Sequence, residues 1–208
     1  MAEIRWPFRW HMYFSKSLVA LTLFSSCLLQ GCLRSQGPNI SLTLNPSEDS
    51  DYLAVYKTYT QREHVYKNFE TKFTVSVTML TSEFRRALAK RHDLVMSQKQ
   101  DYLADFTNKT GFFISVFSPS SDNLQLDDEN YWTISLQKGS ETHKPITINS
   151  LSPKKKWELF FPDISNWSKE YLVIFDVSTP IGSDHQMVAK EPISLNLNNI
   201  EGKIRINY

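Results

Sequence analysis

Apolar and polar residues alternate along much of the chain after residue 50. Phe73, Val75 and Val77 are separated by Thr74 and Ser76, and this period of two is typical of a strand with one buried face. Runs rich in Tyr, Val, Ile, Thr and Phe recur, and clusters such as SPSSDN and PIGSD, typical of turns, separate them. The pattern predicts nine strands, at 52–62, 69–79, 112–117, 131–136, 145–148, 156–161, 171–177, 193–197 and 203–208.

One segment between the second and third strands has a helical pattern instead. Its apolar residues recur at intervals of four and seven, so they form one stripe on a helix: Phe84, Leu88, Val95, Tyr102 and Phe106. Thr81 or Ser82 can cap its amino terminus. The sequence therefore predicts one helix over about 82–107.

These elements predict a mainly β fold, an antiparallel immunoglobulin-like β-sandwich with the 82–107 helix inserted. Residues 51–208 are long enough to bury a core as one domain. Residues 33–50 contain Gly, Pro, Asn and Ser with few large apolar side chains, a composition typical of a flexible tether.

Adjacent aromatic residues raise a question about the surface of the sandwich. Tyr131-Trp132 and Phe160-Phe161 would point to opposite faces if each pair lay on a strand. Either the 82–107 helix covers the second face, which we favour, or an apolar patch is exposed for a partner. If an apolar patch is exposed for a partner, the candidate partner-binding residues are Trp132, Trp157 and Trp167.

The amino-terminal segment has a different character from the rest of the chain. Arg5, Arg9 and Lys16 precede Leu18–Leu29, twelve residues without a charge. A membrane-spanning helix needs about 20 apolar residues, so this run is better interpreted as a signal peptide. Translation starting at Met12 rather than Met1 would give a shorter and more typical leader.

The residues that end this run, Leu29-Gln30-Gly31-Cys32, resemble the lipobox of bacterial lipoproteins. That resemblance implies cleavage after Gly31, a diacylglyceryl group on the Cys32 thiol and a further fatty acid such as palmitate on the freed amine. Residues 1–31 would then be the signal peptide and 32–50 the lipidated terminus and tether. Leu33 in place of aspartate implies, by the family's sorting rule, the outer membrane.

Two stretches of the remaining chain, ETKFTVSVTMLTSEFRRALAKR and LFFPDISNW…YLVIFD, resemble uncharacterised bacterial lipoproteins with a sandwich domain. The resemblance implies no catalytic residues. Without residues 1–31 the chain has 20 basic and 21 acidic residues, so no overall basic field exists to bind nucleic acid. Cys27 leaves with the leader and Cys32 carries lipid, so no disulfide is expected.

Motifs for catalysis or cofactor binding are missing from the sequence. The histidines are scattered without the paired spacing of zinc ligands, and Gly-x-Ser-x-Gly and phosphate-binding loops do not occur. We therefore assign no catalytic residue, metal or cofactor. The cluster Pro153–Trp157 contains three lysines that can contact anionic lipid head groups near the anchor, although a solvated strand entrance is the preferred interpretation.

The sequence thus favours a non-catalytic, membrane-anchored envelope lipoprotein that binds or scaffolds an envelope protein, with membrane lipid as a further partner through Cys32. A carrier of lipid or another hydrophobic ligand is the alternative, and an envelope hydrolase is the second. An internal apolar cavity would favour the carrier, and a Ser or Asp converging with His in a cleft would favour the enzyme. A filled core with exposed aromatic residues would favour the binding module.

Overall fold

The strands of the computed structural model form two antiparallel sheets that pack face to face. The structure describes residues 45–96, 109–119, 125–177 and 192–208. Within these residues the helices are a 3-10 turn at Pro46–Glu48 and three α-helices: α1 Ser50–Tyr59, α2 Ser82–Met96 and α3 Lys154–Glu158. The strands are β1 Thr60–Lys67, β2 Glu70–Met79, β3 Thr110–Phe117, β4 Thr133–Lys138, β5 Glu141–His143, β6 Thr147–Ser150, β7 Lys169–Phe175, β8 Ile193–Asn198 and β9 Lys203–Asn207.

The larger sheet has the strand order β1-β2-β3-β7-β6, and the smaller has the order β5-β4-β8-β9. Side chains from both sheets meet in one apolar core, to which Val75 and Ile114 contribute from the larger sheet and Leu136 and Leu195 from the smaller. All four are fully buried. The alternation predicted around Val75 is confirmed, because Phe73, Val75 and Val77 all lie in this inter-sheet core.

The opposite face of the larger sheet is covered by helices and by the segment that follows α3. Phe113 and Leu172 on this outer face pack against α1, α2 and Phe161 in a second apolar cluster. The Asp49 carboxylate caps α1 by accepting from the Tyr52 backbone N–H at 3.0 Å. The Thr81 hydroxyl caps α2 by accepting a hydrogen bond from the Phe84 backbone N–H. The favoured interpretation is confirmed: α2 covers the outer face of the larger sheet, and α1 covers it as well.

The structure confirms the predicted fold class: the protein is mainly β, with two antiparallel sheets and a helix between the second and third strands. The finer, immunoglobulin-like assignment is not confirmed. Helix α2 begins at Ser82 as predicted and continues to Met96 without a break. The predicted continuation to 107 lies outside the described residues.

Two of the nine predicted strands are wrong in whole or in part. Residues 52–62 were predicted as a strand from their aromatic and β-branched content, but α1 occupies most of this stretch. Tyr52 and Tyr56 lie one helical turn apart, which places both rings in the outer cluster. Residues 156–161 form the end of α3 and a turn rather than a strand.

The second error also removes the constraint on adjacent aromatic side chains. Phe160 and Phe161 do not lie on a strand, so they are not forced to opposite faces, and both are buried in the outer cluster. The same holds for Tyr131 and Trp132, which precede β4 and both contact the inter-sheet core. Strand β5 was missed because its three residues, Glu-Thr-His, carry no apolar side chain.

Candidate partner-binding surfaces

The three candidate tryptophans lie in three different environments. Trp132 is only 3% exposed and packs edge-on against Phe73, with ring centroids 5.1 Å apart, in the inter-sheet core. Trp157 is half-buried beside Phe161 in the outer cluster. Trp167 is 76% exposed. The structure therefore does not bring the three together, and Trp167 alone among them offers most of its surface to a partner.

Trp167 is displayed by a tightly hydrogen-bonded turn. The Ser168 backbone N–H donates to the Ser165 carbonyl at 3.2 Å, and the Ser165 N–H donates to the Ser168 hydroxyl at 2.9 Å. Lys154, at the start of α3, donates to the carbonyls of Ser165, Asn166 and Ser168. These bonds hold the Trp167 turn against α3.

This arrangement places the Trp167 turn beside Lys154, which Lys155 and Lys156 follow in α3. Lys155 is exposed, and Lys156 lies over the Trp157 ring with its Nζ 5.5 Å from the centroid. Neither lysine is ion-paired with any of the described residues. Lys155, Lys156 and Trp167 together are called the cationic-aromatic patch below.

A second exposed surface lies where the β1–β2 and β8–β9 turns meet. Tyr66 is 67% exposed, Ile200 is 74% exposed and Phe69 is fully exposed; these three residues are called the hairpin end. Lys67 pairs with Glu201 at 3.2 Å, which ties the two turns together. The sequence analysis did not identify these exposed side chains, because it placed the first strand at 52–62, whereas β1 is Thr60–Lys67.

The turn that carries Phe69 has an unfavourable backbone. Asn68 and Phe69 have φ values of 55° and 63°, in the left-handed region where glycine or asparagine is favoured. Asn68 tolerates this region, but a bulky aromatic residue at the second turn position is strained by about 1–2 kcal/mol. The combination of a strained backbone and a solvated aromatic ring marks this position as a candidate for recognition.

Beneath the helices, a polar row crosses four strands of the larger sheet. Arg62, Ser76, Ser115 and Glu170 are successive cross-strand partners on β1, β2, β3 and β7, so all four lie on the outer face. Asp163 joins one end of the row: it accepts from the Ser76 hydroxyl and pairs with Arg62, each at 2.6 Å.

The other end of the row is a buried carboxyl group. Glu170 accepts a hydrogen bond from the Ser168 hydroxyl at 2.6 Å, and burial raises the pKa of its carboxyl even though this bond and Lys154 act in the opposite direction. Tyr56 lies above the row, where burial and, secondarily, the Asp163 charge raise its pKa to about 12. The row thus fastens the segment carrying Asp163 and Ser168 onto the sheet.

Among the described contacts, the serines of the row are hydrogen-bonded to carboxylates rather than to an imidazole. The hydroxyls of Ser76 and Ser115 are directed to carboxylates, and a nucleophilic serine requires an adjacent base such as an imidazole. His64 hydrogen bonds to Thr74 at 2.9 Å, His143 lies 3.3 Å from Glu141, and His92 stacks on Phe160. The hydrogen bonds of the row itself join the sheet to Asp163 and Ser168.

An apolar cavity of about 60 Å³ lies between α2, the larger sheet and Trp157. A cavity of roughly 150 Å³ is needed to hold benzene, so this space is too small for a fatty acyl chain. Two open grooves of about 320 and 330 Å³ flank α1, and their linings include the charged residues Arg62 and Asp163 in one and Lys90 and Arg91 in the other. Both grooves are open to solvent and partly lined by charged side chains, unlike an enclosed apolar cavity for an acyl chain.

Comparison with family models, curated proteins and solved structures found no match for this chain. Among the described residues, no helix is long and apolar enough to span a bilayer, and no group of three His, Cys, Asp or Glu side chains is placed to hold a metal ion. Gly31 and Cys32, the predicted cleavage and lipidation residues, lie outside the described residues.

Proposed function

We propose that the protein is a membrane-anchored lipoprotein of the bacterial cell envelope, in the outer membrane, that acts as a binding module for an envelope protein. Support for the anchor comes from the sequence Leu29-Gln30-Gly31-Cys32 after an uncharged run of twelve residues. Two or three acyl chains on Cys32 would hold the domain at the bilayer for practical purposes permanently, because each buried methylene contributes about 0.8 kcal/mol.

The binding role is inferred from the difference in burial between the inter-sheet core and the hairpin end. The inter-sheet core is filled by about twenty buried side chains, whereas Tyr66, Phe69 and Ile200 are each mostly exposed in two turns that the Lys67–Glu201 pair joins. Exposed apolar groups concentrated in one region of a domain are typical of a protein-binding surface. The charges around them are compensated, since Lys67 pairs with Glu201 and Lys72 with Glu70. An apolar pocket or face on the partner protein therefore fits this surface best.

The anchor is tested by Cys32→Ala. We expect the variant to accumulate as an unprocessed precursor that no longer incorporates radioactive palmitate, because the thiol that accepts the diacylglyceryl group is gone. Cys27→Ala is the matched control and should be labelled and mature as the wild type does. Unchanged labelling and processing of the Cys32 variant would refute lipidation.

The binding surface is tested by photo-crosslinking in intact cells. Phe69 is replaced by benzoylphenylalanine, and we expect one discrete adduct with an envelope protein, abolished when Tyr66 and Ile200 are changed to Ser. The control position is Ile146, which is 52% exposed but belongs to the turn before β6. Equal adducts from positions 69 and 146, or none from 69, would contradict the assignment.

A further inference from the structure

We infer that the cationic-aromatic patch, Lys155, Lys156 and Trp167, rests on the anionic head groups of the membrane that holds Cys32. The inference rests on the proposed lipid anchor and adds a second, non-covalent contact that orients the domain. Three observations carry it: the local charge, the fixed display of Trp167 and the position at which the described chain begins.

The segment 153–169 is positively charged on a protein that is otherwise nearly neutral. It carries Lys154, Lys155, Lys156 and Lys169 against two acids, Glu158 and Asp163. Asp163 is paired with Arg62 and so does not neutralise these lysines. Each cation near an anionic membrane surface strengthens binding by about fivefold at physiological ionic strength. Lys155 and Lys156 together therefore favour the bound orientation by about 25-fold.

Trp167 has the chemistry and the placement of an interfacial anchor. Tryptophan is enriched where membranes meet water, because its ring is apolar and its indole N–H finds a polar partner in the head-group region. The Ser165–Ser168 hydrogen bonds and the three carbonyls bound by Lys154 fix the turn, so little conformational entropy is lost when the exposed ring enters the interface.

The start of the described chain lies on the same side of the larger sheet as this patch. Arg91 links the two: its Nη1 contacts the Asp49 carboxylate at 3.1 Å, and its Nε donates to the Leu159 carbonyl at 2.8 Å. Asp49 precedes α1, and Leu159 directly follows α3. Thirteen residue steps separate Cys32 from Asn45, a span of at most about 45 Å, so this face is within reach of a bilayer that holds an acylated Cys32.

The test uses the full processed protein reconstituted in two kinds of vesicle, phosphatidylcholine alone and phosphatidylcholine with 30% phosphatidylglycerol, each containing brominated acyl chains that quench nearby tryptophan. We expect quenching in the anionic vesicles, several-fold weaker quenching in the neutral ones, and loss of most of the signal in Trp167→Phe. Lys155→Glu with Lys156→Glu should reduce the quenched fraction to the level in neutral vesicles. Added salt at 0.5 M should do the same to the wild type.

The matched control is Lys144→Glu with Lys203→Glu, which makes the same change in net charge at two exposed lysines, one in the β5–β6 connection and one on β9. Its quenching should equal that of the wild type. Equal quenching in both vesicles, or no effect of Trp167→Phe, would overturn the patch while leaving the anchor intact. Flotation with neutral vesicles reports the anchor separately: a protein that fails to float there overturns the lipoprotein proposal and this inference with it.

Discussion

The two faces of the larger sheet are both buried, but they are built in different ways. The centre of the inner face presents apolar side chains to the smaller sheet, including Val75, Ile114 and Val173, each fully buried. The outer face mixes apolar side chains with the row Arg62, Ser76, Ser115 and Glu170, and loops and helices cover it. The inner face thus holds the sheets together, whereas the outer face fixes a particular loop in place.

The difference shows where polar groups are used inside this domain. A buried polar group has a cost unless it is hydrogen-bonded, and here the bonds of the row go to Asp163 and Ser168 in the segment that carries the Trp167 turn. The outer face therefore positions the surface that we propose contacts lipid. The centre of the inner face packs against the smaller sheet through apolar side chains.

The largest effect is expected from removing an aromatic ring on either face. Phe161 stacks on Phe113 with centroids 3.5 Å apart, and Phe175 lies fully buried on the inner face. Phe161→Ala and Phe175→Ala should each lower the free energy of unfolding by about 3–5 kcal/mol, measured by urea denaturation of the purified protein. A loss of less than about 1 kcal/mol for Phe161→Ala alone would mean that the helical layer only loosely covers the sheet.

A smaller, pH-dependent effect is expected at Glu170. Burial raises the pKa of this carboxyl above its ordinary 4.5. As pH rises, the Glu170 carboxyl therefore loses its proton at a lower pH in the unfolded chain than in the folded one. The contribution of Glu170 to the free energy of unfolding is therefore complete below the pKa of the unfolded chain and is lost as pH rises through the raised pKa of the folded protein. Glu170→Gln should remove this decline, so its thermal midpoint should exceed that of the wild type at pH 7.5 and approach it at pH 4.5.

Glu129→Gln is the control for this pH dependence, since Glu129 is an exposed acid outside the row and does not act on the Glu170 carboxyl. Its stability curve should follow that of the wild type between pH 4.5 and 7.5. A Glu170→Gln variant whose stability falls with pH as steeply as the wild type would show that this carboxyl does not titrate differently in the two states.

The smallest effect is expected at the start of α2. Thr81→Ala removes the hydroxyl that accepts from the Phe84 N–H at 3.1 Å, and it should cost about 1 kcal/mol in urea denaturation. Ser82→Ala changes a neighbouring hydroxyl for which the structure shows no capping bond, so it should cost less than half as much. Equal losses would mean that Ser82 shares the cap.

The inner and outer faces of the larger sheet also differ in how well the sequence predicts them. The inner face is built by strands alone, so a period of two in residues such as Phe73, Val75 and Val77 reveals both the strand and its buried side. Strands β2, β3, β7, β8 and β9 were accordingly predicted within a few residues. The start of α2 at Ser82 was also predicted, because a cap and an apolar stripe coincide there.

The outer face was harder to predict because residue composition and spacing conflict there. In α1 the aromatic and β-branched content favours a strand, while the spacing of Tyr52 and Tyr56 and the capping Asp49 favour a helix; spacing is the better guide because it decides which side chains share a face. The polar row could not be predicted, since Ser115 and Glu170 are brought together only by strand register.

The exposed surfaces were predicted only in part. The sequence offers Trp167 as one of three candidate tryptophans. Trp167 is exposed and Trp132 is buried, and this difference depends on the tertiary fold. The hairpin end was missed because the turn is only Asn68 and Phe69, and a phenylalanine there is not a usual turn residue.

The measurement that tests the central claim most directly is the intact mass of the native protein purified from membranes, with fragmentation of its amino terminus. The account predicts a chain that begins at Cys32 and carries a diacylglyceryl group on the thiol and a fatty acid on the amine. A chain that begins at Met1 or Met12, or an unmodified Cys32, would contradict it.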